Sequence, residues 1–271
     1  TFRHKDCLLN PAYSTINIFF LIFHSDLFFS CCKSLQKLGY CINDTITYEL
    51  FSEYITVAPD SEKSEKVGRT IIARLGMEVY QDILQAVLAH DDKKKNEQPD
   101  KADCIYRTLL YGFSLPDGHR ILQSLGNPYI ARVFELSRST GNEAHHLLGF
   151  LRFQELENGV LFSTIHPKNQ VISVLAEHFT DRLPQEHFMI YDATHQIAAI
   201  RKAGSGYFLT DASNLNQEVI TRLSPAEKDY QKLWCGFFDS IAIEARKNPK
   251  LQSQNIPKRF WKDTVELASG K

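Results

Sequence analysis

The sequence predicts an α+β protein: a helical block followed by an antiparallel sheet, built as hairpin, helix and meander and packed with helices. Three observations predict it. Apolar residues recur at helical spacing through residues 61–145, the period falls to two after residue 148, and short apolar runs bounded by turn residues follow from 160 to 210. With 43% apolar and 11% aromatic residues in 271, the chain can bury a substantial core. The expected division is into residues 1–128, an amino-terminal αβ and helical part, and residues 129–271, a core carrying the antiparallel sheet and a carboxy-terminal helix.

The elements follow in order. Residues 16–23 read as a core strand, and Asp26 as the N-cap of a helix running to about Leu38. A second strand is predicted at 54–57, where Ile55 and Val57 are β-branched, before the Pro59-Asp60 turn. Ser61 opens a helix with Val67, Ile71, Ile72 and Leu75 on one face. Further helices are predicted at about 77–89, 101–113, 117–125 and 128–145, with a charged loop at 91–100 in which the lysines at 93–95 are offset by Asp91, Asp92, Glu97 and Asp100.

Leu148, Phe150 and Arg152 then alternate with Gly149, Leu151 and Phe153, and a Glu157-Asn-Gly turn leads to a strand at 160–165, which together read as a hairpin. A helix at 170–181 precedes strands at 188–191, 196–201 and 207–210. Ser224-Pro-Ala-Glu227 combines an N-cap, a first-turn proline and a reciprocal acid, so a helix is expected from there to about Asn248, followed by an irregular tail over 249–261.

Charge and cysteine usage narrow the class. With 31 basic against 32 acidic residues, no whole-molecule field draws the chain to nucleic acid, so any such affinity must come from a local patch. The six cysteines form no CxxC pair or other zinc-ligand spacing and read as thiols of a reducing compartment, so neither a metal nor a cofactor is expected. The apolar run 16–29 is broken by Asn17, His24, Ser25 and Asp26 and is too short to span a bilayer, which predicts a cytoplasmic protein without a membrane partner. There is no phosphate-cradling glycine loop, GxSxG elbow or HExxH motif.

Two constellations remain. Glu143, His145 and His146 sit at a helix end, where a carboxylate beside an imidazole suits acid/base work; Glu143 and His145 form the candidate catalytic pair, with Asp192 as a supporting carboxylate. The bland reading is a helix end whose histidines meet terminal carbonyls. Six of the ten histidines fall between 145 and 195. The second constellation is the segment from Arg246 to Lys262, with six cations and no acid. Arg246, Lys247, Lys250, Lys258 and Arg259 can neutralise phosphates while Trp261 stacks on a base, and Arg152 is the further candidate cation. Its alternative is a tail whose Phe260 and Trp261 pack on the core.

Three segments carry a family resemblance: Glu143-Ala-His-His-Leu-Leu-Gly-Phe-Leu-Arg-Phe, His178-Phe-Thr-Asp-Arg-Leu-Pro, and Leu233-Trp-Cys-Gly-Phe-Phe-Asp-Ser-Ile-Ala-Ile continuing through Asn248-Pro-Lys-Leu-Gln and Pro257-Lys-Arg-Phe-Trp. Together they resemble a bacterial family of DNA-metabolism and DNA-repair proteins described as a conserved domain of unknown function. The resemblance implies a radical-SAM protein as partner and a relationship to domains fused to uracil-DNA glycosylase. It carries no established catalytic residues. The chain departs from the family pattern at His146, at His166-Pro-Lys, and at Phe188 and Tyr191. The expectation is therefore a DNA-binding accessory or processing factor acting with that partner; the alternatives are a metal-independent enzyme on a damaged base or nucleotide, and an interaction module without DNA affinity.

Overall fold

A computed structural model of the chain describes residues 61–91 and 100–268. The strands expected at 16–23 and 54–57, the helix after Asp26 and the lysines at 93–95 lie outside them. Two compact units are present, with the boundary between Gly141 and Asn142 inside one long helix.

The described residues of the first unit are helical. They form helices α1 (Ser61–Leu75), α2 (Met77–Leu88) and α3 (Lys101–Ser114) before the long helix, with Gly76 alone between the first two. Val67, Ile71 and Leu75 recur every four residues and bury one face of α1 against Val79, Ile83, Ile105 and Leu109. Gly76 separates α1 from α2 with φ +91°, a conformation that L side chains rarely adopt. Asp100 caps α3 by accepting from the Ala102 and Asp103 amides, and the buried Lys101 sends Nζ to the Val87 and Ala89 carbonyls, closing the end of α2. The helix expected at 117–125 is reduced to a 3-10 turn, Ile121–Gln123, and Gly118 before it packs so closely on Leu75 and the Gly112 carbonyl that a Cβ there would clash.

Helix α4 (Pro128–Phe150) runs five residues past the expected end at 145. The alternation at 148–153 is not a strand. Ala144, Leu147 and Leu151 bury at i, i+3 and i+7, a helical spacing that the short alternating run also contains.

The sheet of the second unit has the order β1-β2-β3-β4-β5, with β1 (Gln154–Glu155), β2 (Leu161–Ile165), β3 (Phe188–Asp192), β4 (Ile197–Arg201) and β5 (Tyr207–Asp211). Gly159, at φ +77°, makes the β1–β2 turn. β1–β2, β3–β4 and β4–β5 pair antiparallel, but β2 and β3 pair parallel, Leu161 opposite Phe188 through Ile165 opposite Asp192. The α+β class holds, and the sheet is mixed rather than wholly antiparallel. The reason is topological: α5 (Ile172–Arg182) connects β2 to β3 as a crossover, which returns the chain in the same direction. α5 lies against β3, β4 and β5 through Ile172, Leu175, Ala176 and Phe179. The buried Arg201 of β4 donates to the Leu183 and Pro184 carbonyls beyond α5 and to the Ser205 carbonyl, tying that helix end to the sheet.

A short α6 (Gln217–Ile220) precedes α7 (Pro225–Ser240), whose N-cap Ser224 accepts from the Glu227 amide at 3.0 Å as the sequence predicts. α7 stops eight residues short of the expected 248. The tail is helical rather than irregular: 3-10 turns at Glu244–Arg246 and Lys258–Asp263 flank α8 (Pro249–Asn255), and α9 (Val265–Ala268) follows. Pro249 at the first turn and Asn248 accepting from the Leu251 amide explain α8. No helix among the described residues is long and apolar enough to cross a membrane.

Candidate nucleic-acid interface

The site is built around Glu143, buried in α4. Its carboxylate accepts from the Lys168 and Asn169 amides and from Asn169 Nδ2, the last two at 2.7 Å, and pairs with Arg259 Nη1 at 2.9 Å. A buried carboxylate is stable when its lone pairs are filled in this way. One side chain therefore fixes α4, the loop after β2 and the carboxy-terminal 3-10 turn together, and holds Arg259 in place rather than leaving it free for phosphate.

Next to this clamp, Phe260 is buried in the sheet unit's core, where the His146 ring stands edge-on to it at 6.0 Å and stacks on Phe150 at 5.8 Å. The Arg259 guanidinium lies over the Phe260 ring, 4.5 Å from its centroid. Trp261 donates its indole N–H to the Ile256 carbonyl at 2.8 Å, and Lys258 reaches over the same indole at 5.9 Å. His166 Nδ1 lies 2.9 Å from Asp263. Burial raises the Asp263 carboxyl above its ordinary value, against the opposing pull of His166 and Lys262.

The clamp leaves the segment before it outside. Arg246, Lys247, Lys250, Lys258 and Lys262 are exposed, and no acid occurs between Glu244 and Asp263. Lys247 lies 3.4 Å from Glu244, an exposed pair of little energetic weight. Of the cations expected to meet phosphate, Arg246, Lys247, Lys250 and Lys258 are exposed, while Arg259 and Arg152 are committed to carboxylates. Arg152 Nη2 meets Glu266 of α9 at 3.0 Å, and its Nη1 donates to the Gly149 and Leu151 carbonyls. Burial works to raise the Glu266 carboxyl, but its own amide, Arg152 and the Trp234 indole together hold it below the ordinary range.

The candidate catalytic residues are not brought together as a pair. Glu143 is buried, whereas His145, two positions along α4 and about 200 degrees around it, is exposed. Asp192 is fully buried at the end of β3, where one oxygen accepts from the Thr194 and His195 amides and the other lies 2.6 Å from His195 Nδ1. That pairing builds the β3–β4 turn and orients the imidazole. Sequence reading missed His195 as the partner of Asp192, although a carboxylate three residues before a histidine at a turn is a readable signal. It also missed Glu266 and Asp263, which no local pattern marks. Among the described residues, no group of three or more His, Cys, Asp or Glu is arranged to hold a metal ion.

Fold and site define a class: an α+β protein whose cationic carboxy-terminal segment is latched to a five-stranded mixed sheet by a buried carboxylate. The chain belongs to the family described as "Domain of unknown function (DUF4130)", whose model matches residues 99–266. The match takes in every element from α3 to the start of α9, including the whole latch. No curated protein and no solved structure matches the chain.

Proposed function

We propose that this chain is a nucleic-acid-binding accessory or processing factor of DNA metabolism, which engages phosphates through its carboxy-terminal cations and works beside a radical-SAM protein. One observation supports the binding: five exposed cations stand in an acid-free stretch that Arg259 and Phe260 anchor near its carboxy-terminal end. Clustered cations attract polyphosphate even when the net charge is −1, because exposed charges act within about 10 Å. The partner rests on the family resemblance of the 143–153, 178–184 and 233–261 segments.

The test uses the full chain and labelled DNA across a salt series. Arg246, Lys247 and Lys250 changed together to alanine should lower affinity on all sequences alike and flatten the dependence on salt, each lost phosphate contact removing about 0.9 from the log–log slope on duplex DNA. Unchanged binding in that variant removes this surface from the reading. Retention of the radical-SAM protein on the immobilised chain tests the partnership separately.

A further inference from the structure

We infer that the loop after β2 completes the phosphate-binding surface: Lys168 stands beside the Lys258–Asp263 turn, and the two segments together receive the phosphodiester backbone of a nucleic acid. The inference rests on the nucleic-acid reading above and extends its surface from the carboxy-terminal segment to the carboxyl end of β2.

Two ties place these segments side by side. The Lys168 amide and Arg259 Nη1 donate to the same oxygen of Glu143, at 3.1 and 2.9 Å. His166 Nδ1 lies 2.9 Å from Asp263 Oδ1. Residues 166–168 therefore lie along residues 259–263, with Lys168 at the Arg259 end. Lys168 is exposed, as are Lys258, next to Arg259, and Lys262, next to Asp263. Among the described residues, no carboxylate pairs with any of these three ammonium groups. They are carried by adjoining backbone although the two segments are far apart in the chain, so neither segment reveals the grouping by itself.

The acids of this part of the unit do not cancel that charge. Glu143, Asp192, Asp263 and Glu266 keep a tenth or less of their side chains exposed, and each faces a partner: Arg259, His195, His166 and Arg152 in turn. Glu177, the first acid of α5, acts on Tyr207 of β5, and Glu155 pairs with Leu161 at the opposite end of β2. Asp211 is exposed at the same end of the sheet, but Ile165 is separated from it by β3 and β4. Three strand spacings amount to about 14 Å, outside the ~10 Å reach of a screened surface charge. The charges left facing water here are ammonium groups. Lysine meets phosphate as a point charge on a flexible stem and reads no base, which suits a backbone contact without sequence preference.

The experiment measures the anisotropy of a labelled DNA duplex with the full chain across a salt series. Lys168→Ala should weaken binding roughly fivefold or more at about 0.1 M salt and remove about 0.9 from the log–log slope, Lys168→Glu should weaken it further, and Lys168→Arg should keep it. Lys168 reaches Glu143 through its amide alone, so all three variants should unfold in urea like the native chain. Lys202→Ala is the control. That lysine is exposed just after β4, and Arg201 pairs with Phe188, which pairs with Leu161, so it stands at the other end of the sheet and its loss should change neither affinity nor slope. Native affinity and slope in both Lys168→Ala and Lys168→Glu overturn the inference and leave the nucleic-acid reading to the Arg246, Lys247 and Lys250 variant. An equal loss in Lys202→Ala means a diffuse attraction and also overturns it. No binding of DNA by the native chain overturns both.

Discussion

At the scale of single residues, the decisive group is Glu143. Its four donors come from the backbone, Asn169 and Arg259, so truncation strands them in a buried place. Glu143→Ala should cost about 3–5 kcal/mol in urea unfolding, the range for removing one partner of a buried ion pair. Arg259→Ala should cost less, because that guanidinium is partly exposed. Cys104 offers a second test: burial, joined by Asp103, pushes its thiol up to about 12, so it should resist a thiol reagent at pH 8 in the folded chain and react once the chain is unfolded. The sequence marked Glu143 as important but suggested the wrong neighbour. Adjacent positions in a chain imply proximity, whereas a helix turns neighbours to different faces, and the true partners of Glu143 lie 25, 26 and 116 positions away.

At the scale of elements, junctions fix what the helices can do. Gly76→Ala should destabilise the first unit by about 1–3 kcal/mol in thermal or urea unfolding, since φ is +91° and the new Cβ would lie 2.8 Å from the His119 ring. α9 is held by Glu266, whose folded carboxyl is lowered. A depressed acid contributes stability that is full above the unfolded value, near 4.5, and is lost as pH falls through the folded value. The stability difference between the native chain and Arg152→Ala should therefore be constant above about pH 5 and shrink on acidification, measured by urea unfolding across that range. Caps were the most legible features here, Ser224 and its Glu227 in particular, because their chemistry is local. The extension of α4 to Phe150 was not, since six residues fit either period and packing decides. Nor was the parallel β2–β3 pair, which depends on where the α5 crossover returns.

At the scale of the whole molecule, a net charge of −1 confines the proposed affinity for DNA to a local, strongly screened patch. With five exposed cations in the carboxy-terminal segment, the salt slope of that surface on duplex DNA should not exceed roughly 4–5, and its binding should be largely abolished by a few hundred millimolar salt. The helical block from Ser61, the strands from 160 to 211 and the helix opened by Ser224 were foreshadowed by period and turns, whereas the helical tail after Ser240 was not. What the sequence could not show is that the face of α7 points outward. An amphipathic spacing reads the same whether its apolar side meets a core or water, and only the surrounding fold tells the two apart.

The latch at Arg259 and Phe260 has a consequence for binding thermodynamics. The cations from 246 to 258 do not form a dangling arm; they lie in a segment between α7 and an anchor made of the buried Phe260 ring and the ion pair of Arg259 with the buried Glu143. The entropy of ordering that segment is lost when the chain folds, so a ligand meets a surface already set. Association should show the small heat-capacity change of preformed contact, and unlatching the ring with Phe260→Ala should convert it to the larger, coupled-ordering signature in calorimetry.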